Sequence, residues 1–508
     1  MAEGTTLSRL AHTVLQPGFE GTGAPDWVRR RLADGLGSVL LFARNITDAR
    51  QLAALTAELR AENPEVIVAV DEEGGDVTRL DAASGSAYPG NLALGAVDDP
   101  ELTERVARSL GRRLAAAGIG LDYAPDVDVN SNPDNPVIGV RSFGADTKLV
   151  ARHSAAWVRG LQSAGVGACA KHFPGHGDTG VDSHFTLPTV RMTHEQLVEV
   201  TLPPFKAAVE AGARAIMLGH LLLPDVDPDA PSSVSEIVVR RLLREELGFR
   251  GLTVTDAMEM RAVSDRYGLE NAVVRALVAG ADLVCVGSRG DDGLFARLEA
   301  EVIAAVREGR LSEERLAEAA RSVREFVAWS AAQPQANVQG AEEEACDRGH
   351  GGGDGVGLLA ARRALEVTVR APGTLPLRTA PHVVAFSVYG PAALGSIAET
   401  SLGARLAEVL PGTTRGVLGE CGDAALATAL DAAAGRPLVL AVRSLHRHPW
   451  MRQAVDRLLI ARPDAVVAEM GLPGTGPLGA AYLVAYGASR VCAQAVAEAL
   501  ADGAASGR

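Results

Sequence analysis

The chain has 508 residues, a formal net charge of -14, 47% apolar and 22% charged residues, and 4% aromatics. That length exceeds one ordinary core, so two globular domains are expected, with interiors of Ala, Val and Leu. The acidic balance excludes the electrostatic footprint of a nucleic-acid or anionic-membrane binder, and no window is long and apolar enough to span a bilayer.

In chain order, the N-terminus Met1-Ala-Glu-Gly-Thr-Thr6 lacks a basic region followed by an apolar stretch, so a cytoplasmic protein is expected. Short apolar runs then predict strands at Ala11–Leu15, Ser38–Phe42, Val66–Val70, Ile119–Tyr123, Val166–Ala170, Arg214–Leu218, Leu252–Thr255 and Asp282–Val286. Amphipathic stretches between them predict helices, among them Asp48–Ala61, Glu101–Ala117, Lys148–Ala164 and Leu269–Ala279. Strand–helix alternation repeated in this way over roughly 250–300 residues points to an α/β fold, a (β/α)₈ TIM barrel. A doubly wound open sheet is the rival, but no Gly-x-Gly-x-x-Gly opens a helix here. Leu311–Ser330 reads as a closing helix capped near Ser312. The barrel domain is therefore placed at residues 1–332.

Composition changes next. Residues 333–358 hold Pro, Gln, Asn, a run of glutamates and Gly351-Gly-Gly353, which reads as a flexible linker. Residues 359–508 carry apolar strand candidates at Val383–Val388, Pro437–Val442, Ala465–Met470 and Tyr482–Ala485, with Ala-rich helices such as Cys421–Ala434 and Cys492–Leu500. This predicts a smaller α/β three-layer sandwich domain. Its most reactive-looking patch is Arg443-Ser-Leu-His-Arg-His-Pro-Trp450. A surface loop with a Trp anchor is the favoured reading, and a patch that reaches and narrows the barrel mouth is the functional one. The five cysteines, Cys169, Cys285, Cys346, Cys421 and Cys492, form no Cys-x-x-Cys and suggest neither a zinc ribbon nor a disulfide framework.

The segment Lys171-His-Phe-Pro-Gly-His-Gly-Asp-Thr179, followed by Asp182-Ser-His184, carries most of the chemistry. Its Gly and Pro content ends the preceding strand and makes a loop. His172 and His176 have His-x-x-x-His spacing, but Pro174 and Gly175 between them prevent a shared helix face, so zinc is a minority reading. Other polar residues fall at the carboxyl ends of predicted barrel strands, where such folds keep their active sites. Asp71 and Arg79 follow the third strand, Arg141 the fourth, His220 the sixth and Asp256 the seventh. For one Asp after a strand, a helix cap is the commoner explanation. With Lys171, His172 and His184, these make eight groups on one rim, which strain that explanation.

Carboxylates and cations without a cofactor motif suit sugar hydroxyls. Glycoside cleavage needs a nucleophile and a proton donor. Asp256 fits the first role, and the Asp182–His184 pair offers an imidazole oriented by a carboxylate for the second.

The chain resembles family 3 glycoside hydrolases of the β-N-acetylglucosaminidase type. The resemblance rests on Phe42-Ala-Arg-Asn45, Asp71-Glu-Glu-Gly-Gly75 with Arg79, Asn135–Gly144, Lys171–Thr179 with Asp182-Ser-His184, and Thr255-Asp-Ala-Met-Glu-Met260. It covers about the first two thirds of the chain. It implies a (β/α)₈ barrel with, in two-domain members, a following α/β domain. It implies Asp256 as nucleophile and His184 with Asp182 as acid/base in place of the usual glutamic acid. It implies Asp71, Arg79, Arg141, Lys171 and His172 as sugar-binding residues, and a small oligosaccharide or muropeptide as substrate, with no cofactor or metal. The expected activity is a retaining exo-β-N-acetylglucosaminidase acting in peptidoglycan recycling or on chitooligosaccharides. Three alternatives stay open: a phosphorylase of the same family, a catalytically silent carbohydrate-binding protein and a metal-dependent hydrolase. The sequence leaves the oligomeric state open.

Overall fold

A computed structural model describes residues 2–287, 290–333, 353–387, 401–420, 422–474 and 476–503. The chain divides into two compact units. The first comprises Met1–Glu72, Thr103–Ile138 and Ala145–Glu343, and the second Glu73–Leu102, Gly139–Gly144 and Glu344–Arg508.

The first unit is built on eight parallel strands: β1 (Leu15–Pro17), β2 (Ser38–Leu41), β3 (Ile67–Val70), β4 (Leu121–Asp122), β5 (Gly167–Phe173), β6 (Ala215–Leu218), β7 (Leu252–Thr255) and β8 (Val284–Val286). Strands β2 to β7 hydrogen-bond in sequence order, and β1 pairs with β8. A parallel bridge between Val254 and Leu283 joins β7 to the chain entering β8. On the other side, Gly37 N–H donates to His12 O at 3.1 Å and Gln16 Nε2 to Ser38 Oγ at 2.7 Å, closing β1 onto β2. The ring is thus a (β/α)₈ barrel, as expected. Its strands are apolar on both faces because the barrel fills one side and helices cover the other. Leu40, Ile67, Leu121, Tyr123, Cys169, Met217, Val254 and Cys285 share one buried cluster with Val323 and Phe326 of the closing helix Glu313–Ala331. That helix starts where the sequence indicates, with Ser312 Oγ accepting from Arg315 N–H at 3.1 Å.

Two expectations for this unit need correction. The chain over Ala2–Val14 is helical, and β1 begins only at Leu15, not at Ala11. The run around Leu10 can bury Ala11, Val14 and Leu15 in either geometry, and a short apolar run does not choose between them. Strand β5 also continues beyond Ala170 through Lys171 and His172 to Phe173.

The second unit holds a six-stranded sheet of β9 (Glu366–Val369), β10 (His382–Phe386), β11 (Thr414–Leu418), β12 (Leu438–Val442), β13 (Val466–Glu469) and β14 (Ala481–Val484), ordered β11-β10-β12-β13-β14-β9. All pairings are parallel except β14 with β9. Apolar clusters lie on both sheet faces, one with Leu406, Val491 and Val496 and the other with Met451, Val455 and Leu458. This is the expected three-layer sandwich. Of the expected linker, residues 334–352 lie outside the described residues, as do Cys346, Val388 and Cys421, while Gly353–Ala364 is helical. Among the described residues, Cys169, Cys285 and Cys492 are free and buried, and no helix is long and apolar enough to cross a membrane.

At the end of β13, Glu469 is fully buried and accepts hydrogen bonds from the amides of Ser444 (2.7 Å), Leu445 (3.1 Å) and Gly471 (2.8 Å). Burial pushes its carboxyl up to about 7, against the pull of these amides and Arg443. The folded state therefore keeps a proton that the unfolded chain releases near 4.5. Stability from this group is full below that value and falls as pH rises toward 7, by on the order of 3 kcal/mol at 1.36 kcal/mol per pH unit. Melting temperatures measured from pH 4 to 8 should show this loss in the wild type and lack it in Glu469→Gln. Parallel curves for the two proteins would contradict the argument.

Candidate active site

The first unit collects its polar groups at the carboxyl ends of the barrel strands. Asp71 follows β3, and its Oδ1 lies 2.8 Å from Nζ of Lys171, an ammonium only 2% exposed. Lys171 can be buried on β5 because this carboxylate faces it. Below the pair, Asp122 is fully buried and accepts from the Glu72 amide at 2.9 Å. Burial drives its carboxyl well above the ordinary range.

Asp126 and Asp128 follow β4, both fully buried. Asp128 Oδ2 lies 2.7 Å from His172 Nδ1, and Oδ1 accepts from the His176 amide at 2.6 Å. Burial opposes ionisation of Asp128, but these histidine interactions outweigh it and hold its carboxyl low. An ionised carboxylate only accepts, so His172 Nδ1 carries the proton and Nε2 is the other working face of the ring. Among the described residues, Asp126, Asp128 and His172 form a group whose ligand atoms lie within 4.8 Å of one another. The 2.7 Å contact commits Nδ1 to a hydrogen bond within that group.

The loop after β5 has a pinned base. Gly177 packs so tightly on the preceding loop that a Cβ there would sit 1.8 Å from Val129 O. Asn135 Nδ2 donates to His176 O at 2.8 Å, and Asn132 Nδ2 to Thr179 O at 3.1 Å. His176 is stapled within the loop, with Nδ1 2.7 Å from Thr179 Oγ1 and Nε2 3.2 Å from Ser183 Oγ. The tip is open. A Cβ on Gly180 would meet nothing within 4 Å, and Val181 and Phe185 are 40% and 61% exposed. On this tip, Asp182 Oδ1 accepts from the ring Nδ1 of His184 at 2.7 Å and from its amide at 2.9 Å. These bonds outweigh burial and keep the Asp182 carboxyl below its usual range.

His220, after β6, is fully buried. Its Nε2–H donates to Ala257 O at 3.0 Å, and Nδ1 lies 2.7 Å from Ser233 Oγ. Burial lowers its proton affinity, so at neutral pH Nδ1 accepts from the serine. Asp256 directly follows β7. Its amide donates to Leu218 O at 2.9 Å, and Oδ1 accepts from the Ala257 amide at 2.8 Å. Burial works against its charge, yet the imidazoles of His220, His172 and His184 lie close enough to bring its carboxyl down to about 2. The structure thus gathers Asp256, His172, His184 with Asp182, and His220, and places the Asp71–Lys171 pair on the same ends of the strands.

The family model described as the glycosyl hydrolase family 3 N terminal domain matches residues 26–326. The chain belongs to glycosyl hydrolase family 3. This family 3 chain is 34% identical over 306 residues to β-hexosaminidase A of Pseudoalteromonas piscicida, a match spanning 55% of this chain and 51% of that protein. It therefore covers about half the length of that relative. It is 37% identical over 291 residues to a β-hexosaminidase of Thiobacillus denitrificans (strain ATCC 25259 / T1), spanning 55% of this chain and 80% of that one. The solved glycoside hydrolase family 3 β-N-acetylglucosaminidase of Paenibacillus sp. str. FPU-7 superposes with a TM-score of 0.85 at 31% identity, over 98% of this chain and 97% of that one.

The remaining two residues of interest lie in the second unit of this family 3 chain. Arg79 is partly buried on the segment after β3. Arg141 is buried and forked onto Glu73, with Nε 3.0 Å from Oε2 and Nη2 2.8 Å from Oε1. Sequence reasoning missed Glu73, Asp122 and Asp128. A usable signal was present for two of them: Asp122, Asp126 and Asp128 crowd an otherwise apolar stretch beside a strand end.

Proposed function

We propose that this chain is a retaining exo-β-N-acetylglucosaminidase. The observation that carries the reading is an ionised Asp256 set among three imidazoles, one of them the Asp182-bound His184. Asp256 attacks the anomeric carbon and forms a glycosyl-enzyme ester, while His184 protonates the departing oxygen. The same imidazole then takes a proton from the water that releases the sugar. Asp182 fixes the ring tautomer and balances the imidazolium. Asp71, Arg79, Arg141, Lys171 and His172 hold the terminal sugar, as the resemblance implies. The names of the relatives, β-hexosaminidase and β-N-acetylglucosaminidase, support N-acetylhexosamine as the sugar. Muropeptide-type fragments or chitooligosaccharides are the substrates, and a cytoplasmic place in peptidoglycan recycling fits the first.

Phosphorolysis is a second reading, favoured by one observation: the group paired with Asp182 is an imidazole, which as proton donor would not repel an incoming phosphate as a carboxylate would. A product assay on a nitrophenyl β-N-acetylglucosaminide, with and without phosphate, separates the two. The expected product is free GlcNAc at a rate independent of phosphate. GlcNAc-1-phosphate would establish phosphorolysis, and absence of both products would overturn the glycosidase reading.

A further inference from the structure

The second unit contains a clasp that links its sheet to the two segments carrying Arg79 and Arg141. The chain after β3 forms a tight turn, with the Glu73 amide donating to Val77 O at 3.1 Å and the Val77 amide to Gly74 O at 3.2 Å. Gly75 packs on the helix entry behind it, where a Cβ would fall 2.4 Å from Gly90 Cα, so the turn cannot shift backwards. Asp76 occupies its corner, with a side chain only 2% exposed. One carboxylate oxygen pairs with Nη2 of Arg443, and the other accepts from the Ala488 amide at 2.8 Å.

Arg443 is itself held. It follows β12, and Ser444 beside it adopts a left-handed conformation with φ 46°, a geometry that persists only where neighbours enforce it. Glu469 enforces it by taking the Ser444 and Leu445 amides, and Ser444 Oγ accepts from the Leu472 amide at 3.0 Å. The patch read from the sequence as a surface loop therefore begins with a part-buried ion pair. Asp76 lies three residues from Glu73, which forks onto Arg141, and three from Arg79. Asn91, on the helix that Gly75 packs against, donates to Arg141 O at 2.7 Å. Arg447 of the same patch lies beside the Gly139 turn that leads to Arg141.

We propose that Asp76 is a positioning residue through which the second domain sets sugar affinity: the Arg443–Asp76–Ala488 clasp fixes the turn that orients Arg79 and the Glu73–Arg141 fork. This rests on the proposed sugar-binding role of those arginines. Asp76 is committed to Arg443 and the Ala488 amide, so loosening the clasp acts through the arginines it positions, on binding more than on bond cleavage.

The test measures KM and kcat on a nitrophenyl β-N-acetylglucosaminide for full-length Asp76→Asn, Arg443→Lys, Arg363→Ala and Arg79→Ala. Asp76→Asn should raise KM roughly 10-fold or more with a smaller change in kcat, and Arg443→Lys, which keeps the charge but not the planar guanidinium, should fall between it and wild type. Arg363→Ala removes a different, exposed pair to Asp99 on the same segment and should leave KM within about twofold. An unchanged KM in both Asp76→Asn and Arg443→Lys would overturn the inference, as would an equal rise in Arg363→Ala. If Arg79→Ala raises KM while the clasp variants do not, only the positioning role fails. If Arg79→Ala also leaves KM unchanged, the sugar-binding reading fails with it. Should Asp76→Asn not fold, Arg443→Lys decides alone.

Discussion

Replacing Asp256 with Ala should lower kcat/KM by roughly 10⁴–10⁶-fold, the scale on which a covalent nucleophile is lost. The carboxylate directly follows β7, a buried strand, and its carboxyl is held at about 2 by surrounding imidazoles. It is therefore ionised at neutral pH. Removing it also leaves a space beside the anomeric carbon. A small external anion such as azide should enter that space, restore turnover of an activated aryl glycoside, and give the α-glycosyl azide. The measurements are the rate without azide, the rate with it, and the anomeric configuration of the adduct by NMR. A variant that retains wild-type activity, or an adduct of β configuration, would remove Asp256 from the nucleophile's role.

The second large effect belongs to His184→Ala. General acid catalysis contributes about 10²–10⁴-fold when the leaving group is a poor one. Aryl β-N-acetylglucosaminides with leaving groups of high pKa should lose about that much, and those with acidic phenols far less. A plot of log kcat/KM against leaving-group pKa should thus be steeper for the variant. If His184 only ties the loop to itself through Asp182, every substrate slows equally and the two slopes coincide. Adding imidazole to the variant supplies a further check, since a lost proton donor is replaceable and a lost loop contact is not.

Most of the barrel is legible in the sequence because parallel strands covered on both faces read as short apolar runs. Leu252–Thr255 and the helix Leu269–Ala279 appear with their predicted limits. The elements that escape such reading are the polar ones. β9 and β11 are the edge strands of their sheet, largely exposed, and β11 contains Arg415 and Gly416. An edge strand is half solvated and carries little hydrophobic pattern. β5 runs on through Lys171 and His172 because Asp71 and Asp128 meet them in the interior. Those partners are 100 and 44 residues away in sequence, so no local spacing announces them. The same holds for Glu73 and Arg141, 68 residues apart. Residues at strand ends are visible one at a time, whereas their pairing is a property of the folded chain.

The loop after β5 joins a pinned base to an open tip, and this separates two tasks that many sites combine. The base, anchored through Gly177, Asn132 and Asn135, shares its hold on Asp128 with His172, at the floor of the strand ends. The tip, Gly180–Leu187, carries the proposed proton donor, His184, as an exchangeable cassette. Substitutions, insertions or a wholesale graft there can alter which leaving groups are tolerated without rebuilding the floor. A scaffold divided in this way lets selectivity for the departing half of a substrate diverge while recognition of the retained half is inherited intact.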